Sequence, residues 1–194
     1  MTFVPRALTF RGRIRVNGPV EKVFPLFSPL GEKSWVPGWD PELLHPPGAS
    51  WVEGLIFRTV EESGPGIWVV SQLSKSSHQV TYYRVEPTLY VARIDVSCQE
   101  VSPALTDVST VCGFVGLSEE GNQRIGGMTE AEYSAKMGRW SSWLERYVAT
   151  GTGGSMQRPP KPNRPPDTRV QRTRSCASRR SSPLTRHPSG GPKG

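Results

Sequence analysis

Five strand-like segments follow one another between residues 53 and 117 with only short breaks between them, and this succession limits the folds open to the chain. The breaks consist of turn residues, such as Ser63-Gly64-Pro65-Gly66 and Pro87-Thr88. Parallel neighbours need a crossover of about a dozen residues or more, whereas antiparallel neighbours need only a tight turn. The segments 53–61, 67–73, 79–86, 89–101 and 105–117 therefore predict an antiparallel meander.

The chain before the meander predicts another strand and two short helices. Apolar or small side chains alternate with arginines over residues 10–16, which is typical of a strand with one basic, solvent-facing side. Apolar residues then recur at helical spacing over residues 20–27. Pro25 removes a backbone donor and crowds the carbonyl of Glu21, so we expect a second small helix near residues 31–35 rather than one long helix. Residues 41–45 are a candidate for a seventh strand.

A long helix is predicted from Thr129 onward, after a loop over residues 119–128. Thr129 and Glu132 have the spacing of a capping box, in which both side chains satisfy free amides at a helix start. Gly151 stands where a helix C-terminus is expected. About 20 residues of helix reach roughly 30 Å, enough to lie along a whole sheet. Its apolar face consists of Tyr133, Met137, Trp140, Leu144, Tyr147 and Val148.

Composition divides the chain near residue 150. Residues 1–150 contain 14 Lys and Arg against 16 Asp and Glu, a net charge of −2, whereas residues 151–194 contain 10 against one, a net charge of +9. The second part also holds 8 of the 19 prolines and no aromatic residue, so it cannot bury enough apolar surface to offset the entropy of ordering. We predict one domain at residues 1–150 and a disordered basic tail rich in Pro, Arg and Ser at 151–194. A reading-frame error in a GC-rich gene would produce the same abrupt change, and this alternative stays open.

The cysteines and histidines predict neither a disulfide nor a metal site. The cysteines are odd in number, the histidines are far apart, and neither set has metal-ligand spacing. The N-terminus lacks the apolar run of a signal peptide, and no stretch of about 20 apolar residues offers a membrane span. We therefore expect a cytoplasmic protein with reduced thiols. The cysteines discussed above are Cys98, Cys112 and Cys176, and the histidines are His45, His78 and His187.

Particular sequence blocks, in this order of elements, resemble the SRPBCC superfamily, which includes START domains, polyketide cyclase/dehydrase proteins and plant pollen-allergen-like proteins. The blocks are NGPVEKVFPLFSPLGEKSWVPGWDPELL at 17–44, GLIFRT at 54–59, STVCGFVGLSEEG at 109–121 and the tryptophan-bearing last helix. The first block looks like that of uncharacterised bacterial members. The resemblance covers approximately residues 8–149, and the tail has no counterpart. It implies an α+β helix-grip fold, with a six- to seven-stranded antiparallel sheet wrapped around the long C-terminal helix.

The resemblance also implies a cavity between sheet and helix, lined by aromatic and aliphatic side chains with few polar groups. Our first interpretation is binding of a small hydrophobic molecule there, a lipid, a polyketide or an aromatic metabolite, with no cofactor. Trp35 and Trp39 are interpreted as structural residues near the sheet edge, although they would also narrow the cavity mouth. The candidate lining residues are Phe57, Trp68, Tyr82, Tyr83, Tyr133, Met137, Trp140 and Leu144.

Two alternatives remain open, and the sequence carries no signature of an oligomeric state. One is a polyketide cyclase/dehydratase-like enzyme, in which a tyrosine or a buried carboxylate transfers a proton. No constellation requires such an enzyme, so we name no catalytic residue. The other is an interaction module whose sheet or basic tail contacts a protein or nucleic acid. Contact of the tail with nucleic acid or an anionic surface would have an affinity that falls as salt rises. The polar candidates for the enzyme are Tyr82, Tyr83, Arg84, Arg93, Asp95 and Glu100, although strand alternation directs Arg93 and Asp95 to solvent.

Overall fold

The computed structural model describes residues 2–61 and 64–153, with only the backbone described at residue 61. Seven β-strands in this part of the chain form one antiparallel sheet, in the order β1-β7-β6-β5-β4-β3-β2. The predicted meander is therefore confirmed, and the first strand pairs with the last. The strands are β1 (Ala7–Asn17), β2 (Glu42–His45), β3 (Ile56–Glu61), β4 (Gly64–Ser74), β5 (Gln79–Glu86), β6 (Tyr90–Ser102) and β7 (Leu105–Gly116).

Proline breaks the helical segment between β1 and β2 into short pieces. These are α1 (Val20–Val23), a 3-10 turn (Phe24–Phe27) and α2 (Pro29–Glu32). The Ser28 hydroxyl accepts a hydrogen bond from the Gly31 amide at 2.9 Å and so caps α2. The two short helices are confirmed, but the second one begins at Pro29, slightly earlier than residues 31–35.

Residues 119–128 are not the loop that we predicted, because they contain α3 (Glu119–Gly126). The Ser118 hydroxyl accepts a hydrogen bond from the Gly121 amide at 3.1 Å and caps this helix. Within α3 only Gly121 and Ile125 are buried. The sequence EEGNQRIG thus has no apolar stripe, which is why its helical periodicity escapes notice.

The last helix, α4 (Glu130–Thr150), begins and ends as its sequence predicts. Thr129 and Glu132 form the expected capping box, with the Thr129 amide donating to a Glu132 carboxylate oxygen at 3.0 Å. Gly151 adopts a left-handed backbone, φ 68°, at the helix end. The Tyr133 ring stacks on Phe10 of β1 with 5.3 Å between ring centroids, so α4 packs over the inner face of the sheet.

Alternation along β1 separates an apolar inner face from a basic outer face. Phe10, Ile14 and Val16 are buried. On the outer face, Arg13 and Arg15 each form an ion pair of 3.0 Å with Asp107 of β7. The described residues thus have the expected α+β helix-grip architecture. Residues 154–194 lie outside them, and with them nearly all of the predicted tail.

Two helical glycines test this packing. A Cβ at Gly121 would overlap the backbone carbonyl of Leu89, whereas a Cβ at Gly138 in α4 meets nothing within 4 Å. We expect Gly121→Ala to lower the free energy of unfolding by about 1–3 kcal/mol because of that overlap. Gly138→Ala should raise it by about 0.5–1 kcal/mol, since alanine is the better helix former. Urea denaturation measures both, and a Gly121→Ala protein as stable as the wild type would contradict the placement of α3.

Candidate ligand-binding cavity

A cavity of about 110 Å³ lies between the inner face of the sheet and α4. We call it the aromatic cavity, after the rings in its wall. A cavity of roughly 150 Å³ holds benzene, so this space, at about three quarters of that volume, is of the order of a single ring and no larger. The rings belong to Phe27, Trp39, Phe57, Trp68, Tyr82, Tyr133 and Trp140.

The rings of the wall meet one another face to face and edge to face. Phe57 and Trp68 are stacked, with centroids 5.6 Å apart and planes at 10°. Trp39 stands edge-on to Trp68 at 5.5 Å, and Tyr82 stands edge-on to both stacked rings. Such pairs are favourable beyond the area that they bury. The wall is therefore a set of rings that support one another.

Hydrogen bonds fix the orientation of several indoles. The Trp39 Nε1 donates to the carbonyl of Pro29 at 2.8 Å, and the Trp68 Nε1 donates to the Thr59 hydroxyl at 2.9 Å. The Trp35 Nε1, behind the wall, donates to a carbonyl in the 3-10 turn at 2.7 Å. Each indole is attached to the backbone through its Cβ and is held at its Nε1 by a hydrogen bond. The cavity is therefore preformed rather than shaped by a guest.

Tyr82 closes one end of the cavity and is already fully engaged there. Its hydroxyl donates to the carbonyl of Phe27 at 2.8 Å and accepts from the Trp51 Nε1 at 2.9 Å. Burial, followed by the charge of Glu32, raises the pKa of Tyr82 well above its usual value. The phenol is therefore neutral at physiological pH and joins the first helical segment to the sheet.

Hydroxyl and thiol groups form a second, polar end. The Tyr133 hydroxyl lies 2.8 Å from the Thr110 hydroxyl and donates to the Cys112 Sγ at 3.3 Å. Burial is the main cause that raises the pKa of both Tyr133 and Cys112. All three groups stay protonated at neutral pH, so they are suited to hydrogen bonding with a guest rather than to acting as bases.

A buried arginine forms part of the cavity wall. Arg84 is 8% exposed and pairs with Glu86 on the same strand, and its Nη1 donates to the Tyr90 hydroxyl at 2.8 Å. Its guanidinium lies 5.4 Å from the centroid of the Trp68 ring. A Cβ at Gly66 would come within 2.8 Å of the Arg84 Nε, so glycine leaves room for the guanidinium.

The structure brings six of the eight candidate residues to the cavity: Phe57, Trp68, Tyr82, Tyr133, Met137 and Trp140. It does not bring the other two there. Tyr83 is 38% exposed and Leu144 is completely buried in the core. Trp39, which we interpreted as structural, lies in the wall. Arg93 and Asp95 form an ion pair of 3.1 Å with each other, and neither residue lines the cavity.

Several other residues line the cavity although they were not among the candidates predicted from the sequence. Strand alternation would have predicted most of them. Ile94 and Val96 lie on the inner side of β6, at every second residue. Thr110 and Cys112 alternate in the same way on β7, where their polar groups made them less obvious candidates. Lys136 lies on α4 one turn from both Tyr133 and Trp140, so the helical period of 3.6 residues would have found it.

Two further findings apply to the described part of the chain. No group of three or more His, Cys, Asp or Glu side chains there is arranged to hold a metal ion. Nor does any helix among these residues have the length and apolar character needed to cross a bilayer.

Tyr82 and Tyr83 form a matched pair for a test of stability. Tyr82→Phe would leave the partly buried Trp51 indole and the Phe27 carbonyl without their shared partner, which costs about 1–3 kcal/mol of unfolding free energy. Tyr83→Phe changes an exposed side chain and should stay within about 0.5 kcal/mol of the wild type. Urea denaturation compares the two, and equal losses would contradict the bridging role of Tyr82.

Alkaline pH gives a second test. The folded protein keeps Tyr133 protonated, because burial raises its pKa, whereas the unfolded chain ionises it near the usual value of about 10. The resulting stability is fully present below about pH 10 and is lost progressively above it, as pH rises toward the higher pKa of the folded state. We expect the free energy of unfolding to fall as pH rises above about 10, and to fall less steeply in Tyr133→Phe. Parallel slopes in the two proteins would refute this.

No protein-family model and no curated protein sequence matches the chain, so the comparisons rest on solved structures. Norcoclaurine synthase from Thalictrum flavum, in complex with dopamine and hydroxybenzaldehyde, has a TM-score of 0.56 at 9% identity, over 75% of this chain and 88% of that chain. The Zhui aromatase/cyclase from Streptomyces sp. R1128 has a TM-score of 0.54 at 16% identity, over 77% and 100%. Hypothetical protein jhp0584 from Helicobacter pylori has a TM-score of 0.58 at 10% identity, over 72% and 87%. At these identities the similarity is one of architecture: the chain shares the α+β helix-grip fold of these proteins.

Proposed function

We propose that this protein binds a small aromatic molecule in the aromatic cavity. The observation that carries the proposal is the wall itself, in which indole rings held by hydrogen bonds surround space for about one ring. Apolar cavities with a few fixed polar groups are the usual form of small-molecule sites. An aromatic guest would stack against Phe57 and Trp68 and meet the edges of Trp39 and Tyr82.

The polar end indicates what else the guest carries. Tyr133, Thr110 and Cys112 present hydroxyl and thiol groups that stay protonated at neutral pH. The hydroxyl protons are used within the protein, since Tyr133 donates to Cys112, and Thr110 donates to Met137 or to Tyr133. Of the three groups, the Cys112 thiol is the donor left for a guest with a hydrogen-bond acceptor, such as a carbonyl or ether oxygen, at one end of its ring. The small volume of the cavity, about 110 Å³, favours an aromatic metabolite over the lipid and polyketide alternatives.

The comparisons are consistent with this guest. The norcoclaurine synthase structure contains dopamine and hydroxybenzaldehyde, each a molecule with one aromatic ring. The shared feature is the fold. Similarity of fold supports the proposal but does not carry over an activity.

A cyclase-like reaction is not favoured by a specific observation. A proton-transferring group needs a pKa near the working pH, whereas burial raises the pKa of both Tyr82 and Tyr133. Tyr82 is also engaged at both its donor and acceptor sites. We therefore propose binding rather than catalysis. An interaction through the basic tail concerns residues outside the described part of the chain.

Trp140 and Trp143 provide a matched test on one helix. Both are partly buried, but only Trp140 of the two lines the cavity. We expect the neutral single-ring probe trans-cinnamamide to bind the full chain, and Trp140→Ala to weaken binding about tenfold through lost ring contact. Trp143→Ala should leave the dissociation constant within about twofold. Isothermal titration calorimetry measures all three proteins.

Native mass spectrometry of the full chain, purified gently from its own host, provides an independent check. We expect a stoichiometric aromatic adduct that Trp140→Ala reduces and Trp143→Ala retains. A wild-type protein that carries no adduct and does not bind trans-cinnamamide would contradict the proposed function.

A further inference from the structure

A groove of about 310 Å³ adjoins the aromatic cavity along the first half of α4. We call it the outer groove. Three side chains, Arg84, Tyr133 and Lys136, line both spaces and therefore form the wall between them. The remaining sides of the outer groove include Tyr90 and Arg139. A molecule whose ring lies in the aromatic cavity would direct a short arm past these shared side chains into the groove.

The cations of the outer groove outnumber the carboxylates that are available to balance them. Arg84 is paired with Glu86, and the Glu132 carboxylate accepts from both the amide and the hydroxyl of Thr129 at 3.0 Å. Lys136 and Arg139 are exposed on α4 and form no ion pair within residues 2–61 and 64–153. Glu132 also lines the groove and keeps its negative charge, because hydrogen bonds from the neutral Thr129 do not cancel it. Three cations, Arg84, Lys136 and Arg139, are thus balanced by two carboxylates, Glu86 and Glu132, which leaves an excess of one positive charge next to the aromatic cavity.

Two cations, Arg84 and Lys136, belong to the wall between the two spaces, and Arg84 is already paired with Glu86. Lys136 lies on the same face of α4 as Tyr133 and Trp140, and its ammonium lies 5.2 Å from the centroid of the Trp140 ring. This contact favours the ammonium beside the ring, while the apolar stem covers the helix surface. Lys136 is therefore the cation of the shared wall that is available to an anionic group.

The charges of the cavity lining are also separated from end to end. Glu32 acts on the Tyr82 end, where burial and then this carboxylate raise the pKa of the phenol. Lys136 acts on the polar end, where burial is the main cause that raises the pKa of the Cys112 thiol; the Tyr133 hydrogen bond and the lysine charge oppose that rise, and the charge of Asp95 adds to it. Burial likewise raises the pKa of Tyr133, and the charge of Glu130 adds to that rise. Of the charged groups that line the cavity, however, Lys136 attracts an anionic arm and Glu32 repels it, which favours the arm on the Lys136 side.

We propose that the natural guest is an aromatic acid, a single ring with a short arm ending in a carboxylate, and that Lys136 binds this carboxylate at the junction of the aromatic cavity and the outer groove. The proposal rests on the proposed function and specifies its ligand class. The carboxylate accepts a charge-assisted hydrogen bond from the Lys136 ammonium. Arg139, one turn further along the helix, adds attraction without contact.

The test uses a pair of probes that share one shape. Trans-cinnamate and trans-cinnamamide have the same ring and rigid arm, but only cinnamate carries a charge. We expect the full-length wild-type protein to bind cinnamate about tenfold more tightly than cinnamamide, the effect of a hydrogen bond to a charged group. In Lys136→Gln this preference should fall to about twofold or less, because only cinnamate loses a charged partner. Calorimetry at fixed ionic strength gives both dissociation constants.

Lys22→Gln is the matched control, since Lys22 is an exposed lysine on α1 outside the cavity and the groove. Both variants lower the net charge by one, so general attraction of an anion to this basic protein changes equally. Retention of the preference in Lys22→Gln, and its loss in Lys136→Gln, supports the proposal.

The remaining outcomes overturn the proposal in distinguishable ways. Equal binding of the two probes to the wild type would refute the aromatic acid but leave the proposed function standing. A preference that persists in Lys136→Gln would refute the role of Lys136. Failure of both probes to bind the wild type would remove the proposed function, and this inference with it.

Discussion

The fold depends on one constraint: a single helix is much narrower than the sheet that it must cover. Seven strands about 4.8 Å apart span roughly 29 Å, whereas a helix with its side chains is only about 10–12 Å across. The buried residues of α4 are Tyr133, Met137 and Leu144, so the helix covers only a narrow strip of the inner face of the sheet. Other groups must shield the rest from water. The short helices and the aromatic rings do so, and the aromatic cavity is the space that they leave unfilled.

The prolines after β1 allow the short helices and the aromatic rings to be held together by hydrogen bonds. Because they interrupt the helix, the segment presents backbone carbonyls sideways instead of using them in a continuous helical ladder. The carbonyls of Leu26, Phe27 and Pro29 accept hydrogen bonds from the side chains of Trp35, Tyr82 and Trp39. The same break that shortens the helix thus orients the rings that line the cavity.

Sequence periodicity predicted the elements well where a side chain had only two possible directions. The capping box and the strand alternation placed α4 and the meander, and the helical face of α4 contained Tyr133, Met137 and Trp140. Alternation along β5 left open which of Tyr82 and Tyr83 faces inward, because each face of that strand carries one tyrosine. The direction is set by pairing with the neighbouring strands and by the carbonyl of Phe27, contacts that are remote in sequence. Such contacts cannot be inferred from the periodicity of one segment.

The Arg84–Glu86 pair is the feature that the fold alone explains least. Burying two charges costs solvation energy that their attraction seldom exceeds, and apolar replacements are often as stable or more so. The site nevertheless accommodates the arginine: Gly66 leaves room beside it, and the Tyr90 hydroxyl bridges arginine and carboxylate. Arg84 lies between the aromatic cavity and the outer groove, where an apolar side chain would make the shared wall less polar. If the guest is the aromatic acid that we propose, a polar wall at that point lets its charged arm pass from one space to the other while its ring stays among the tryptophans. Binding of such a guest would explain the buried pair, which stability alone does not explain.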